Sequence, residues 1–184
     1  MKLISLLERL EYTCIQGSTD QEVKNVVYDS RKVEEGSLFI CIRGAVVDGH
    51  KFVPDVIAKG AKVLVVEEKV EAPADVTIIL VEDSRYAMAF ISAAYFGYPA
   101  EKLKTIGITG TKGKTTTTYM VKSILENAGY KVGLLGTIEA IIGDKVIPAS
   151  NTTPDSYMVQ KYFPAMVEAG CDCVVMEVSS QGLM

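Results

Sequence analysis

At 184 residues, 48% hydrophobic and 23% charged, the chain has the size and make-up of one globular domain or two small ones. A formal net charge of −4 leaves no basic footprint, which argues against nucleic acid as the main partner, and no apolar run approaches the roughly 18–20 residues that span a bilayer. Glu8, Arg9 and Glu11 interrupt any signal-like core behind Lys2, and four scattered cysteines lack zinc-finger spacing, so structural thiols in a reducing cytoplasm are expected.

In chain order, residues 3–10 read as a short helix, and residues 23–28 and 37–42 as short strands. Between the two strands lies the turn-like Asp29-Ser30-Arg31-Lys32. A helix over residues 52–58 is stopped by Gly60, and the apolar runs 63–66 and 76–81 read as further strands. Asp83 is placed to cap a helix that runs to about Phe96. Gly97-Tyr98-Pro99-Ala100-Glu101 is then the best boundary between two domains, 1–100 and 101–184.

Beyond the boundary, residues 103–109 form a strand candidate that feeds Gly110-Thr111-Lys112-Gly113-Lys114-Thr115-Thr116. A helix follows over residues 115–128 with Met120, Val121, Ile124, Leu125 and Ala128 on one face, ended by Gly129. Residues 131–135 read as a strand, and 138–142 with 146–147 as a hairpin turning at Gly143-Asp144. Thr153 as N-cap and Pro154 at the first helical position open the next helix, whose buried face is Met158, Val159, Tyr162, Phe163, Met166 and Val167 and which Pro164 should kink. The apolar run 171–178 closes the series and delivers Glu177 and Ser179-Ser180 at its carboxyl end. Strand, loop and helix in this succession give an α/β fold: a small N-terminal α/β domain, then the first part of a phosphate-loop domain with a mostly parallel sheet. A nucleotide-binding sheet with so few strands is expected to continue beyond Met184.

The glycine loop carries the chemistry. Glycines let backbone N–H groups turn toward an anion, Lys114 adds positive charge, Thr115 offers a hydroxyl to Mg²⁺, and the following helix presents the positive end of its dipole. The strict G-x-x-x-x-G-K-[ST] pattern needs glycine at position 108, which is Ile108, so the loop is a variant. In open α/β sheets ligands bind beyond the carboxyl ends of the strands, where Glu177 could serve a Mg²⁺–nucleotide site or be a solvated strand end. Asn151, Thr152 and Thr153 could cap a helix or bind an anionic substrate. In the first half, Ser30 and the Gly44–His50 segment read as ordinary turns, with His50 a solvated or turn-capping histidine.

These segments together resemble the Mur ligases, the ATP-dependent amino-acid-adding enzymes of peptidoglycan synthesis, and most closely their MurE type. The resemblance runs through Asp29-Ser30-Arg31-Lys32-Val33, Gly36-Ser37-Leu38-Phe39, Asp48-Gly49-His50, the GT-x-GKT loop, Asn151-Thr152-Thr153-Pro154 and Met176-Glu177-Val178-Ser179-Ser180. It implies a first domain that grips the uridine nucleotide of UDP-N-acetylmuramoyl-L-alanyl-D-glutamate through Ser30, Ala45, Val46 and Val47. It implies ATP on Gly110–Thr116 with Lys114 catalytic, Mg²⁺ near Thr115 and Glu177, and the sugar-peptide on Asn151, Thr152, Thr153 and Ser179. The implied reaction forms an acyl phosphate on the acceptor carboxylate, which an incoming amino acid attacks to give an amide. Lys112 stands where the family usually has asparagine and Gln181 where MurE types usually have histidine. The family's modified lysine and C-terminal domain lie beyond this chain, so the piece alone is expected not to catalyse ligation. A relative that binds nucleotide without catalysis is the competing reading, ahead of an unrelated phosphate-loop kinase.

Overall fold

The structure, a computed structural model, describes residues 1–44 and 47–182, for Gln181 the backbone alone. These residues form two compact units that divide between Tyr95 and Phe96.

The first unit contains α1 (Leu3–Leu6), β1 (Thr13–Gln16), β2 (Asn25–Val27), β3 (Ser37–Ile40), α2 (Val53–Ala58), β4 (Val63–Val66), β5 (Thr77–Leu80) and α3 (Ser84–Tyr95). The sheet order is β1-β5-β4-β3-β2, with β2 to β5 parallel and β1 antiparallel at one edge. Every residue of β3 and β4 is buried, which is why Leu38, Phe39 and Ile40, and Val63 to Val66, read as unbroken apolar runs rather than alternating ones. Phe39, Leu64, Val66 and Ile78 cluster with Val53 and Val56 of α2 on one face. Leu38, Ile40, Val63 and Val65 alternate with them and are buried too, as are Leu3 and Leu6 of α1 and Ala87 and Ile91 of α3. Each such aliphatic side chain contributes about 1.5–3 kcal/mol on burial. Asp83 caps α3 as expected, its Oδ1 accepting from the N–H groups of Arg85 at 2.7 Å and Tyr86 at 2.9 Å.

β1 is not evident from the sequence. Its four residues are exposed or half-buried, and the register shifts between Cys14 and Gln16, so no alternation marks it. It is pinned instead by a side chain: Gln16 Nε2 donates to the carbonyls of Pro73 and Val76, both at 2.8 Å.

The second unit contains β6 (Lys104–Ile108), α4 (Lys114–Asn127), β7 (Val132–Leu135), β8 (Glu139–Ile142), β9 (Lys145–Pro148), α5 (Ser156–Glu168) and β10 (Cys173–Glu177). The sheet order is β6-β10-β7-β8-β9, parallel across the first three strands and antiparallel across the last three. The β8–β9 hairpin turns at Gly143-Asp144, with φ +57° at Gly143. Side chains of β10 alternate between two cores: Cys173 and Val175 pack with Val121 and Leu125 of α4, and Val174 and Met176 with Phe163 and Met166 of α5.

Two expectations for this unit need revision. α4 buries Thr118 and half-buries Val121 and Leu125, but leaves Met120 61% and Ile124 67% exposed and Ala128 exposed. The helix is seated about one residue's turn away from the face that its apolar content suggested. α5 begins at Ser156 behind Asp155, whose carboxylate accepts from the Met158 N–H at 2.8 Å, so Thr153 is not its N-cap and Pro154 is not its first residue. α5 continues past Pro164, which lies inside it.

Candidate functional site

The site lies at the carboxyl ends of the parallel strands of the second unit. β6 ends at Ile108, which packs with Ile106 against the core under α4. This explains the irregular loop. Where the common pattern has its first glycine, this chain is still in the strand, and the turn starts later, at Gly110. Gly110 (φ +149°) and Gly113 (φ +78°) hold conformations that side chains rarely adopt, and Gly113 precedes α4 without any side-chain cap. The first-turn N–H groups of a 14-residue helix therefore face outward uncapped, with the positive end of its dipole. Lys114 Nζ donates to the Gly110 carbonyl at 2.8 Å, folded over the loop it would serve. Thr111, Lys112 and Thr116 are exposed around it.

Glu177 ends β10, directly beside Ile108 of β6 in the ladder. It shares the strand face of Cys173 and Val175, the face that α4 covers, so its side chain is delivered to the first turn of that helix. It is 1% exposed, and Thr115 Oγ1 donates to its Oε2 at 3.1 Å. A carboxylate and a hydroxyl so placed are hard oxygen donors of the kind Mg²⁺ takes, and among the described residues no lysine or arginine pairs with Glu177.

The segment after β9 closes the other side. Thr153 Oγ1 bonds the Glu177 carbonyl at 2.9 Å, accepts from the Ser179 N–H at 2.9 Å and lies 3.1 Å from Ser179 Oγ. Its hydroxyl is committed to the end of β10, which is why it cannot cap α5. Thr152 lies behind it, and Asn151 is exposed. Thr115, Thr152, Thr153, Glu177 and Ser179 are thus brought together.

Gly136 and Thr137, which follow β7, belong to the same cluster although the sequence reading passed over them. Thr137 donates through its backbone N–H to Glu177 Oε1 at 2.9 Å and through Oγ1 to Oε2 at 3.0 Å. A Cβ on Gly136 would sit 2.7 Å from Glu177 Oε1. The available signal was positional: a hydroxyl just beyond the carboxyl end of a buried parallel strand. Nearby, Tyr119 donates to Glu139 Oε1 at 2.8 Å, and burial first, then this bond and the charges of Glu139 and Glu177, push its phenol up to about 12.

In the first unit, Ser30 and Val47 follow the carboxyl ends of the neighbouring parallel strands β2 and β3. The Ser30 carbonyl accepts from Lys59 Nζ at 2.8 Å. Ala45 and Val46, expected to hold substrate, lie outside the described residues. Arg31 clamps Asp29 with two hydrogen bonds, of 2.9 and 2.8 Å, which with the Arg31 N–H hold its carboxyl down at about 2. His50 is buried rather than solvated: Nε2 accepts from the Glu67 N–H at 3.0 Å, which leaves the proton on Nδ1, 2.6 Å from Asp48 Oδ1. Asp48, His50 and Glu68 bring ligand-type atoms within 4.8 Å of one another, but Arg43 reaches Asp48 at 3.4 Å and Glu68 at 2.9 Å and supplies the cation there.

Comparison with known proteins agrees in both units. Residues 22–96 match the family described as Mur ligase family, catalytic domain, and residues 108–184 match Mur ligase middle domain. A Clostridium perfringens protein named UDP-N-acetylmuramoyl-L-alanyl-D-glutamate–2,6-diaminopimelate ligase is 52% identical over 183 residues, covering 100% of this chain and 38% of its own length. The chain thus spans about two fifths of that relative. A solved structure with the same enzyme name superposes with a TM-score of 0.75 at 22% identity, over 100% of this chain and 37% of that one. A MurF ligase from Thermotoga maritima in complex with ADP gives a TM-score of 0.54 at 23% identity, over 86% of this chain and 32% of that one.

Proposed function

The chain belongs to the Mur ligase family, and from that premise we propose that it carries the acceptor-binding and ATP-binding parts of a cytoplasmic ligase of peptidoglycan synthesis. The acceptor is UDP-N-acetylmuramoyl-L-alanyl-D-glutamate, and the amino acid added is 2,6-diaminopimelate, as in the names of the similar proteins. One observation carries the reading: the buried Glu177 carboxylate meets Thr115 in the first turn of the phosphate-loop helix, on the strand beside the one that feeds the loop.

Gly110–Thr116 cradle the ATP phosphates through backbone N–H groups, and Lys114 exchanges the Gly110 carbonyl for a phosphate oxygen. Thr115 and Glu177 would hold Mg²⁺, which would neutralise phosphate charge. Ser30 and the 45–47 segment take the uridine nucleotide, while Asn151, Thr152, Thr153 and Ser179 orient the sugar-peptide so that its terminal carboxylate faces the γ-phosphate. Carboxylate oxygen attacks phosphorus and ADP leaves. The amine of the amino acid then attacks the acyl carbon and phosphate leaves, so the rate rests on positioning and charge neutralisation.

The test is phosphate release by the full-length gene product. Release from ATP is expected only when the UDP-muramoyl dipeptide and diaminopimelate are both present. Tight ADP binding with no release, under any amino acid, would instead identify a nucleotide-binding relative without ligase activity.

A further inference from the structure

The carboxylate of Glu177 receives bonds from two places, the phosphate-loop helix through Thr115 and the turn after β7 through Thr137. Thr137 grips both oxygens, Oε1 with its N–H at 2.9 Å and Oε2 with its hydroxyl at 3.0 Å. That fixes the rotation of the carboxylate plane, which one contact cannot do. The turn can approach so closely because residue 136 is glycine. Thr137 Oγ1 also lies 3.2 Å from Thr152 Oγ1. A hydroxyl has a single proton and a carboxylate only accepts, so Thr137 gives its proton to Glu177 and Thr152 supplies the proton of the other bond. A directed chain therefore runs from Thr152 through Thr137 to Glu177, where Thr115 meets it.

We infer that Thr137 is a positioning residue: it aims the Glu177 carboxylate at the phosphate loop and ties it to the segment containing Thr152. This rests on the reading of Thr115 and Glu177 as the Mg²⁺ pair. With Mg²⁺ bound, Thr137 would still hold the carboxylate, so Glu177 would present a ligand already oriented.

The test is calorimetric titration of the full-length gene product with ADP across a range of Mg²⁺ concentrations. In Thr137→Val, ADP affinity without Mg²⁺ should match the wild type. The Mg²⁺ concentration that gives half of the tightening should rise about 10- to 100-fold. Thr137→Ser keeps the hydroxyl and should restore most of that loss, and Thr152→Val should show a smaller shift in the same direction. Where valine prevents folding, Thr137→Ala carries the same expectation. An unchanged Mg²⁺ response in a folded Thr137→Val or Thr137→Ala, or a serine variant as impaired as the valine, overturns the positioning role. A normal wild-type response beside an indifferent variant removes that role alone. A wild type that does not respond to Mg²⁺ removes the underlying reading as well.

Discussion

The two parallel sheets gather acidic groups at their carboxyl ends in opposite ways. In the first unit Asp48, Glu67 and Glu68 surround Arg43, at 3.4, 3.8 and 2.9 Å, and Asp29 is clamped by Arg31. In the second, Glu177 faces only hydroxyl and N–H donors among the described residues, Lys114 rests on a carbonyl, and α4 starts without a side-chain cap. A carboxylate cluster that carries its own cation is scaffolding. The half-exposed Arg43 pairs are screened by solvent and add little stability, but their charge stands where a metal would have to enter. A buried carboxylate held by hydroxyl and N–H donors, beside an uncapped helix start, is the arrangement that the proposed ATP and Mg²⁺ site would use.

The largest effect that would sharpen this contrast is Lys114→Ala, which should weaken ADP binding about 100-fold or more while the circular dichroism stays unchanged. Unaltered affinity would strip the loop of its role. His50→Ala works on the other side. It leaves the Glu67 N–H without its acceptor and removes the ring's bond to Asp48, and should cost about 1–3 kcal/mol in denaturant unfolding, with ADP affinity untouched. If that substitution weakened ADP binding instead, the division of labour between the units would be wrong. A smaller effect is expected from Lys112→Asn: a few-fold loss of ADP affinity at low salt that fades at high salt, as screening dictates for an exposed charge.

The smallest effect concerns Tyr119, whose phenol is pushed up to about 12 in surroundings that hold Glu139 and Glu177. The folded state keeps this phenol protonated more firmly than the unfolded chain, whose tyrosines titrate near 10. Its contribution to stability is therefore full below about pH 10 and lost as the pH rises from about 10 to about 12. Absorbance titration should show a late tyrosine component that disappears in Tyr119→Phe.

The sequence disclosed most where local chemistry and backbone geometry coincide. Gly110 and Gly113 must take unusual φ values, Asp83 caps through its own side chain, and β3 and β4 are apolar because both faces are covered. It disclosed least where distant partners decide. β1 is fixed by Gln16 reaching residues some sixty positions away, and the seat of α4 depends on where β6 and β10 lie beneath it. Thr153 looked like a helix cap until β10 claimed its hydroxyl, and the role of Thr137 exists only because β10 inserts between β6 and β7. That Glu177 lies beside the phosphate loop follows from neighbouring strands, but its bonds from Thr137 are visible only in the fold.

The most direct measurement is the calorimetric titration of wild-type protein with ADP, with and without Mg²⁺. One ADP bound per chain, and bound more tightly with Mg²⁺, is what the glycine loop with the Thr115–Glu177 pair beside it predicts. No binding, or the same affinity in both conditions, would contradict it.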